Sequence, residues 1–287
     1  MTGSRIRFRF SKHGKVRFTS HRDVARIWER SLRRAAVPVV YSAGFSPRPR
    51  IAFGLALPTG YSSDAEYLDA EIDPAWVAGI DNERLVGALT ASLPTGMTTL
   101  AAAGIASGEP SLQHAVTSCT WRIDAAGADA TEAAEAVSRA MDGSELLVQR
   151  ERKGRITIDD IRPAVHAVEV QGNITDGVRL TAELATQPRA VRPNELLASL
   201  RPPLRGRADR RANPARTGEA GARAARERSE QEREGPPRDA EAVHLSAQPL
   251  SLLRACRLHQ WITTDAGERR EPLAVSVLPV VGAGVAP

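Results

Sequence analysis

The chain has 287 residues, of which 42% are hydrophobic and only 4% aromatic, and its formal net charge is +5. This length and apolar content predict one duplicated core or two modest domains, and they exclude a wholly disordered chain. Two separated cysteines, Cys119 and Cys256, give no disulfide framework and no cysteine-rich zinc site, so neither a metal nor a cofactor is predicted.

The charge is distributed unevenly along the chain. Residues 1–50 contain thirteen lysine or arginine residues against two acidic ones, whereas residues 51–160 contain seventeen acidic residues against seven basic ones. Such polarity favours a basic N-terminal face for phosphate or another anionic partner. The start MTGSRIRFRF has no hydrophobic signal region and no long apolar segment follows, so we expect a cytoplasmic protein with no membrane contact.

The first elements are a strand and a helix. RIRFRF alternates phenylalanine with arginine, which predicts a strand with one buried and one basic face, and KVRFTS is expected to continue extended. Ser20 is a good N-cap, with Asp23 three residues later. From there apolar residues recur at helical spacing, and Arg22, Arg26, Arg30 and Arg33 fall on the opposite face of the helix.

The next elements complete a first unit. YSAGFSPRPR reads as a loop stiffened by Pro47 and Pro49, RIAFGLAL and AEYLDAEI as strands, DNERLVGALTASLP as a helix capped by Asp81, and MTTLAAAGIA as a last strand. The order strand, helix, strand, strand, helix, strand predicts a ferredoxin-like βαββαβ half over residues 1–107.

A similar order recurs over residues 112–201. HAVTSCTWRIDA, ELLVQR, AVHAVEVQ and GVRLTAELA read as extended, DATEAAEAVSRAMDGS as a helix, and RPNELLASL as a short helix with Pro193 in its first turn. The sequence thus predicts an α+β fold of two ferredoxin-like halves packed together.

The remaining chain divides into two segments. Residues 202–242 are rich in proline, glycine, alanine and charge and almost without large apolar residues, which predicts a disordered, arginine-rich insert. In residues 243–287, PLSLLRACRLHQW is expected to return as the missing last strand before a flexible tail.

The candidate site is nucleic-acid-binding. Clustered arginines with nearby aromatic side chains can bind phosphates and stack on unpaired bases, so RNA is the expected partner. The predicted contacts are Arg22, Arg26, Arg30, Tyr41, Ser42, Phe45, Arg48 and Arg50. Arg5, Arg7 and Arg9 of the first strand are expected to adjoin them. The alternative is a solvated helix face, which arginine stripes commonly form.

The sequence contains no P-loop, no HExxH zinc motif and no GxSxG nucleophile motif, so the prediction leans toward a non-catalytic protein. His21, in the first turn of the helix, is the candidate catalytic residue, because a histidine can act as general acid or base near neutral pH. The alternative is that His21 fixes the helix start or contacts a ligand.

Residues 10–72, FSKHGKVRFTSHRDVARIWERSLRRAAVPVVYSAGFSPRPRIAFGLALPTGYSSDAEYLDAEI, closely resemble the radical-SAM-linked domain of unknown function. RKGRITIDDIRPAV and AVRPNELLASL are similar to later segments of that family, and the insert after residue 200 departs from it. The domain often accompanies a radical S-adenosylmethionine protein. The resemblance therefore implies an accessory role in RNA metabolism or modification, with a radical enzyme in trans, since two cysteines cannot ligate an iron–sulfur cluster.

Three functions are compatible with these patterns. The first is an RNA-binding accessory protein, and the second is a metal-independent RNA-processing enzyme with His21 as general base. The third is an adaptor that docks on a radical SAM enzyme or a ribonuclease through the acidic residues 64–83.

Overall fold

A computed structural model describes residues 4–77, 79, 81–106, 108–152, 154–200 and 250–273. The predicted insert at 202–242 and the predicted flexible tail after residue 273 lie outside these described residues. The described part is a mixed α+β fold built on one large, mostly antiparallel sheet. The expectation of an α+β protein is therefore confirmed.

The N-terminal half contains four strands and three helices. They are β1 (Ser4–Lys12), α1 (His21–Arg34), β2 (Ile51–Phe53), β3 (Ser62–Ile72), α2 (Pro74–Val77), α3 (Asn82–Ser92) and β4 (Met97–Gly104). Ser20 caps α1 and Asp81 caps α3, as their sequence positions predict. Each cap side chain accepts hydrogen bonds from backbone amides that have no partner within the helix.

Two local predictions in this half were wrong. Gly14–Phe18 is a 3₁₀ helix rather than an extended segment, because Gly14 takes a left-handed φ of 59° and the chain then turns tightly. The strand expected through Leu57 ends at Phe53. Beyond it, the carbonyl oxygens of Leu55 and Ala56 accept hydrogen bonds from the Arg257 guanidinium instead of from a neighbouring strand.

The C-terminal half also combines strands with helices. It contains α4 (Leu112–Ala115), β5 (Ser118–Ala126), α5 (Ala130–Asp142), β6 (Leu147–Arg152), β7 (Arg155–Asp160), β8 (Val165–Ile174), β9 (Gly177–Ala185), α6 (Pro193–Ser199), β10 (Ser251–Thr263) and β11 (Arg269–Arg270). The strand expected in PLSLLRACRLHQW is therefore present as β10. Strand β7 was not predicted, and it forms a separate two-stranded hairpin with β6.

The main sheet has the order β4-β1-β3-β10-β5-β9-β8, with β2 added to β3 and β11 added to β10. All its pairs are antiparallel except β3 with β10, which run parallel where Cys256 and Arg257 face Ser62 and Ser63. This short parallel pair joins the two halves into one sheet. Strand β2 pairs with residues 68–70 of β3, on the same edge of β3 that pairs with β10 at Ser62 and Ser63.

The two larger apolar clusters of the described residues lie mainly one in each half, and a third, small cluster contains Ala65, Tyr67 and Leu112. In the first, Phe8 and Phe10 of β1 pack against Trp28 of α1, with ring centroids 5.9 and 4.9 Å apart. The second cluster includes Trp121 and Ile123 of β5 together with Leu196 of α6. Because side chains alternate along a strand, Arg7 and Arg9 of β1 point to the sheet face opposite that of Phe8. Among the described residues, no helix combines the length and apolar character that crossing a bilayer requires.

Candidate nucleic-acid interface

The first turn of α1 is fixed by Ser20 and Asp23. Ser20 Oγ accepts a hydrogen bond from the Asp23 amide at 3.2 Å and donates one to Asp23 Oδ2 at 2.7 Å. The bond from Ser20 holds the pKa of the Asp23 carboxyl below its ordinary value, and Arg26 lowers it further. Asp23 is therefore an ionised residue in the first turn of α1, which suits the positive end of the helix dipole.

The exposed face of α1 carries the predicted arginines. Arg22, Arg26 and Arg30 are all exposed. Arg26 lies 3.4 Å from Asp23, in an exposed pair that contributes little to stability. Within the described part of the chain, no carboxylate lies within 4.0 Å of Arg22 or Arg30. Their guanidinium groups are therefore available to an external anion.

The loop between α1 and β2 is closed by its own hydrogen bonds. The Ser42 amide donates to the Arg48 carbonyl at 2.8 Å, and the Arg48 amide donates to Ser42 Oγ at 3.0 Å. Tyr41 and Pro49 form an isolated β-bridge at the base of the loop. Ser42 thus has a structural role in this state. The closed loop presents Phe45 and the Arg48 side chain at its exposed end.

Phe45 is the most exposed large apolar residue described, at 111% relative accessibility, while Tyr41 is 49% exposed. Exposing a phenylalanine this fully leaves its apolar ring in water, where a stacking partner would be favourable. Arg48 has no carboxylate within 4.0 Å among the described residues. Arg50, in contrast, forms an ion pair with Glu71 at 2.9 Å.

A shallow groove connects the base of this loop to α1. It is lined by Tyr41 and Pro49 on the loop side and by Glu29 and Arg33 on the helix side, with Leu32 below. Arg33 belongs to the same face as Arg22 and Arg26 by helical spacing. We call the set Arg22, Arg26, Arg30, Arg33, Tyr41, Ser42, Phe45, Arg48 and Arg50 the helix–loop face. Glu29 adds one negative charge to the groove.

The arginines of β1 do not join the helix–loop face, which corrects the expectation that three basic elements converge. Arg7 is fully buried and bonds both carboxylate oxygens of Asp69, at 2.7 and 2.9 Å. Burial lowers the pKa of Arg7, but its bonds to Asp69 and the charges of Asp69 and Glu109 outweigh burial and raise it. Arg9 pairs with Glu271 at 2.6 Å.

The expected acidic docking surface is also largely occupied. Asp64 bonds His13 at 2.6 Å, Glu66 bonds Arg257 at 2.9 Å, and Asp69 and Glu71 bind Arg7 and Arg50 as described above. Four of the carboxylates in residues 64–83 therefore hold basic groups of the same chain. They do not form a free acidic patch.

His21 lies beside a narrow cleft rather than within the arginine cluster. Its ring meets Phe53 edge to face, with centroids 5.4 Å apart. The cleft is also lined by Lys12 and Glu66. Burial lowers the pKa of Lys12, although the charge of Glu66 acts in the opposite direction. The free volume of the cleft is about 10 Å³, which is room for one water molecule. Lys12 Nζ donates a hydrogen bond to the Thr19 carbonyl at 3.0 Å.

Sequence reasoning missed several of these residues. Arg33 carried a signal, because the sequence places it on the arginine face of α1, but it was not among the predicted contacts. Lys12, Glu66 and Arg257 carried none, because the contact between Glu66 and Arg257 joins residues 191 positions apart. The sequence also carried no signal for a cluster of His13, Asp64 and Cys256. Its members lie just after β1, in β3 and in β10.

The described part of the chain defines a mixed α+β protein, and this architecture by itself identifies no activity. Residues 5–193 match the family described as uncharacterized proteins conserved in bacteria, DUF2344. This match spans more than half of the chain, so the protein belongs to that family. No protein in the curated set matches the chain. The expected membership of a domain family of unknown function is thus confirmed, and the family description names no reaction, ligand or partner.

Proposed function

We propose that this protein binds single-stranded RNA through the helix–loop face. The observation that carries the proposal is the fully exposed Phe45, held beside Arg48 in a loop closed by two hydrogen bonds. An exposed aromatic ring stacks on any unpaired base, and stacking contributes about 1–3 kcal/mol per base. A rigid loop loses little entropy when it binds, which favours a loop of this kind as a contact site.

The charges of the face support the same ligand. Arg22, Arg30 and Arg48 have no carboxylate within 4.0 Å in the described ranges, so binding phosphate would not require breaking an internal ion pair. Arg26 and Arg50 would have to exchange partners, Asp23 and Glu71 respectively. We therefore expect the first three arginines to contribute more to phosphate binding than the other two.

Salt dependence of RNA binding tests this proposal. Fluorescence anisotropy of a labelled, unstructured RNA would give the binding constant at salt concentrations from about 50 to about 300 mM. Counterion release changes affinity strongly over this range. The logarithm of the binding constant should fall linearly with the logarithm of salt. Replacing Arg22, Arg30 and Arg48 together by alanine should flatten that slope by about two units, at about 0.7 per lost phosphate contact.

Arg155→Ala provides the matched control, because Arg155 is an exposed arginine on the separate β6–β7 hairpin. It changes the net charge by one unit and should leave the slope nearly unchanged. Phe45→Ala should weaken binding about tenfold without altering the slope, because stacking releases no counterions. RNA binding that is independent of salt, or equal in the triple variant and wild type, would contradict the proposal.

We also propose that each half has ferredoxin-like topology. The supporting observation is that the N-terminal half follows the spatial order β4-β1-β3-β2 and the C-terminal half the order β10-β5-β9-β8. In both, the last strand lies beside the first and the third beside the second. An experimental structure with a different strand order in either half would remove this interpretation.

The second candidate function is metal-independent RNA cleavage at the cleft beside α1. The observation that favours it is that His21 and Lys12 line the same cleft as Glu66, next to the start of the basic helix. Once the cleft has opened to admit RNA, His21 would accept the proton of a ribose hydroxyl, and Lys12 would face the charge that develops on the phosphate. Paired ferredoxin-like folds serve other RNA-processing enzymes, which is an analogy at the level of fold alone.

Incubation of labelled RNA with wild type, His21→Ala and Lys12→Met in EDTA tests this second function. Cleavage by wild type that both variants lose would support it. No cleavage by any of the three would remove it, while RNA binding through the helix–loop face could still stand.

The link to a radical SAM enzyme or a ribonuclease in trans is a proposal as well, supported by the resemblance of residues 10–72. The paired carboxylates of residues 64–71 make the exposed arginines and aromatics a better docking surface than the acidic segment. Affinity purification with and without nuclease treatment would test the link. A partner that persists after nuclease treatment supports direct docking, and loss of every such protein contradicts it.

A further inference from the structure

Three metal-ligating side chains meet where the two halves of the sheet join. His13 follows β1, Asp64 is the third residue of β3, and Cys256 lies in β10 at the parallel contact with β3. One donor atom from each residue lies within 4.8 Å of the other two. These residues are outside the helix–loop face, and none of the functions above uses them.

One of the two donor distances matches a tetrahedral metal site, and the other is shorter. Cys256 Sγ lies 3.6 Å from Asp64 Oδ2, and a zinc ion bound to sulfur and oxygen holds these atoms about 3.5 Å apart. His13 Nε2 lies 2.6 Å from Asp64 Oδ1, whereas zinc would hold nitrogen and oxygen about 3.3 Å apart. These two contacts use different oxygens of Asp64, so the His13 ring and the Asp64 carboxylate would both have to move to place one nitrogen, one oxygen and the sulfur around a single ion.

We propose that His13, Asp64 and Cys256 form a binding site for a divalent transition metal, with zinc as the ion that suits them best. Zinc accepts imidazole nitrogen, carboxylate oxygen and thiolate sulfur together. Three protein ligands leave a fourth position for water or a substrate group. The side chains of His13 and Asp64 are 41% and 42% exposed, so that position is reachable from solvent.

Metal binding at this cluster requires the Cys256 thiol to lose its proton. Burial raises the pKa of the Cys256 thiol to about 12, and the neighbouring charges of Asp64 and Glu66 raise it too, while Arg122 lowers it. A metal dication reverses this balance, because it neutralises the carboxylate and the thiolate together. Binding therefore releases the Cys256 proton to solvent and leaves the three ligands and the ion with no net charge.

The backbone holds two of the ligands in place. The His13 amide donates to the Gly96 carbonyl at 2.7 Å, and Gly96 itself has a φ of 93°. A side-chain carbon at Gly96 would lie 2.5 Å from the His13 carbonyl oxygen, so this position requires glycine. Cys256 is held by strand pairing with both β3 and β5. The ion would link the end of β1 to β10 and so tie the two halves together.

A simpler arrangement competes with the metal. His13 and Cys256 both hydrogen-bond Asp64, which would satisfy all three side chains without an ion. The two arrangements differ in what happens when a metal is added, because hydrogen bonding alone gives no metal-to-thiolate bond.

Cobalt(II) titration distinguishes the metal site from the purely hydrogen-bonded arrangement. The full chain would be purified in the presence of a chelator and then freed of it. Cobalt bound to a thiolate gives a charge-transfer absorption band in the near ultraviolet. We expect one equivalent to bind with this band, zinc to displace it, and about one proton to be released per ion at neutral pH. Zinc should also raise the unfolding temperature.

Cys256→Ala and His13→Ala should each weaken metal binding at least about tenfold, and Cys256→Ala should abolish the band. Cys119→Ala is the matched control, because Cys119 is the second buried cysteine and lies outside the cluster. Circular dichroism would establish that each variant is folded. Absence of the band in wild type, or a band that survives in Cys256→Ala and disappears in Cys119→Ala, would overturn the proposal.

Discussion

The arginines of β1 and those of the helix–loop face are equally prominent in the sequence, yet the structure uses them differently. Arg7 and Arg9 are 0% and 6% exposed and bind carboxylates of the same chain. Arg22, Arg30 and Arg48 are exposed and have no carboxylate within 4.0 Å in the described parts of the chain. Clustered basic residues therefore indicate a binding surface only where the fold leaves them without a partner.

The largest loss of stability should come from removing one member of the buried ion pair between Arg7 and Asp69. Asp69→Ala leaves the Arg7 charge buried with only weaker contacts to Glu109 and to the Pro272 carbonyl, which should cost about 3 kcal/mol of unfolding free energy. Urea denaturation measures this.

Glu71→Ala is the control for that change, because Glu71 lies two residues farther along β3 and pairs with the half-exposed Arg50. It should cost no more than about 1 kcal/mol. Equal costs for the two variants would show that Arg7 is not held as the buried pair suggests.

A second comparison concerns how much the ion pair between Arg9 and Glu271 contributes to stability at different pH values. Glu271 is held by Arg9 and His259, and although burial raises its pKa, these contacts bring the pKa below its ordinary value of 4.5. A lowered pKa in the folded state adds stability that is complete above the ordinary value and is lost as pH falls through the folded value. Glu271→Gln should cost about 2 kcal/mol at pH 7.

The cost of Glu271→Gln should begin to shrink as pH falls below 4.5, where the carboxyl of the unfolded chain takes up a proton, and it should be lost once pH falls through the lower pKa of the folded state. Denaturation at a series of pH values from neutral to acid measures the difference. A cost that stays constant across this range would contradict the account of Arg9 and Glu271.

The predictability of these features depended on how far apart in the chain the interacting residues are. Ser20, Asp81 and the spacing within α1 act locally, so the sequence predicted α1 and α3 well, whereas the short helices α2 and α4 were not predicted. The alternation in β1 correctly predicted that its arginines face away from the phenylalanines. What covers them could not be predicted, because Glu271 is 262 positions from Arg9 and Glu109 is 102 positions from Arg7.

The loop at 41–50 illustrates the opposite case. Its glycine, serines and prolines indicated a stiff turn, and Phe45 and Arg48 are indeed exposed on it. The groove that joins Tyr41 to Arg33 could not be predicted, since it depends on how the loop packs against α1. The His13, Asp64 and Cys256 cluster was beyond reach for the same reason, with Cys256 192 positions from Asp64.

A smaller effect is expected at the start of α1. Ser20→Ala removes the helix cap and should cost about 1 kcal/mol. Thermal or urea unfolding measures it, with Ser46→Ala as control because Ser46 is an exposed loop residue. If the cap also orients Arg22, RNA affinity should fall with it. A Ser20→Ala protein as stable as wild type would contradict the assigned cap.

The smallest effect on stability should come from the exposed arginines themselves. Arg22→Ala and Arg30→Ala should each change unfolding free energy by less than about 0.5 kcal/mol, because neither forms an ion pair within the described chain. Both should nevertheless weaken RNA binding. A large loss of stability in either variant would show that the arginine is held by contacts within the fold, as Arg7 is, and is not free to bind a ligand.

Ultraviolet crosslinking in living cells, followed by identification of the peptides attached to RNA, tests the central claim most directly. The account predicts crosslinked peptides that contain Phe45 or Tyr41, and their loss in a Phe45→Ala, Tyr41→Ala double variant. Crosslinks confined to other aromatic residues such as Trp261, or no RNA attached to the protein in cells, would contradict it.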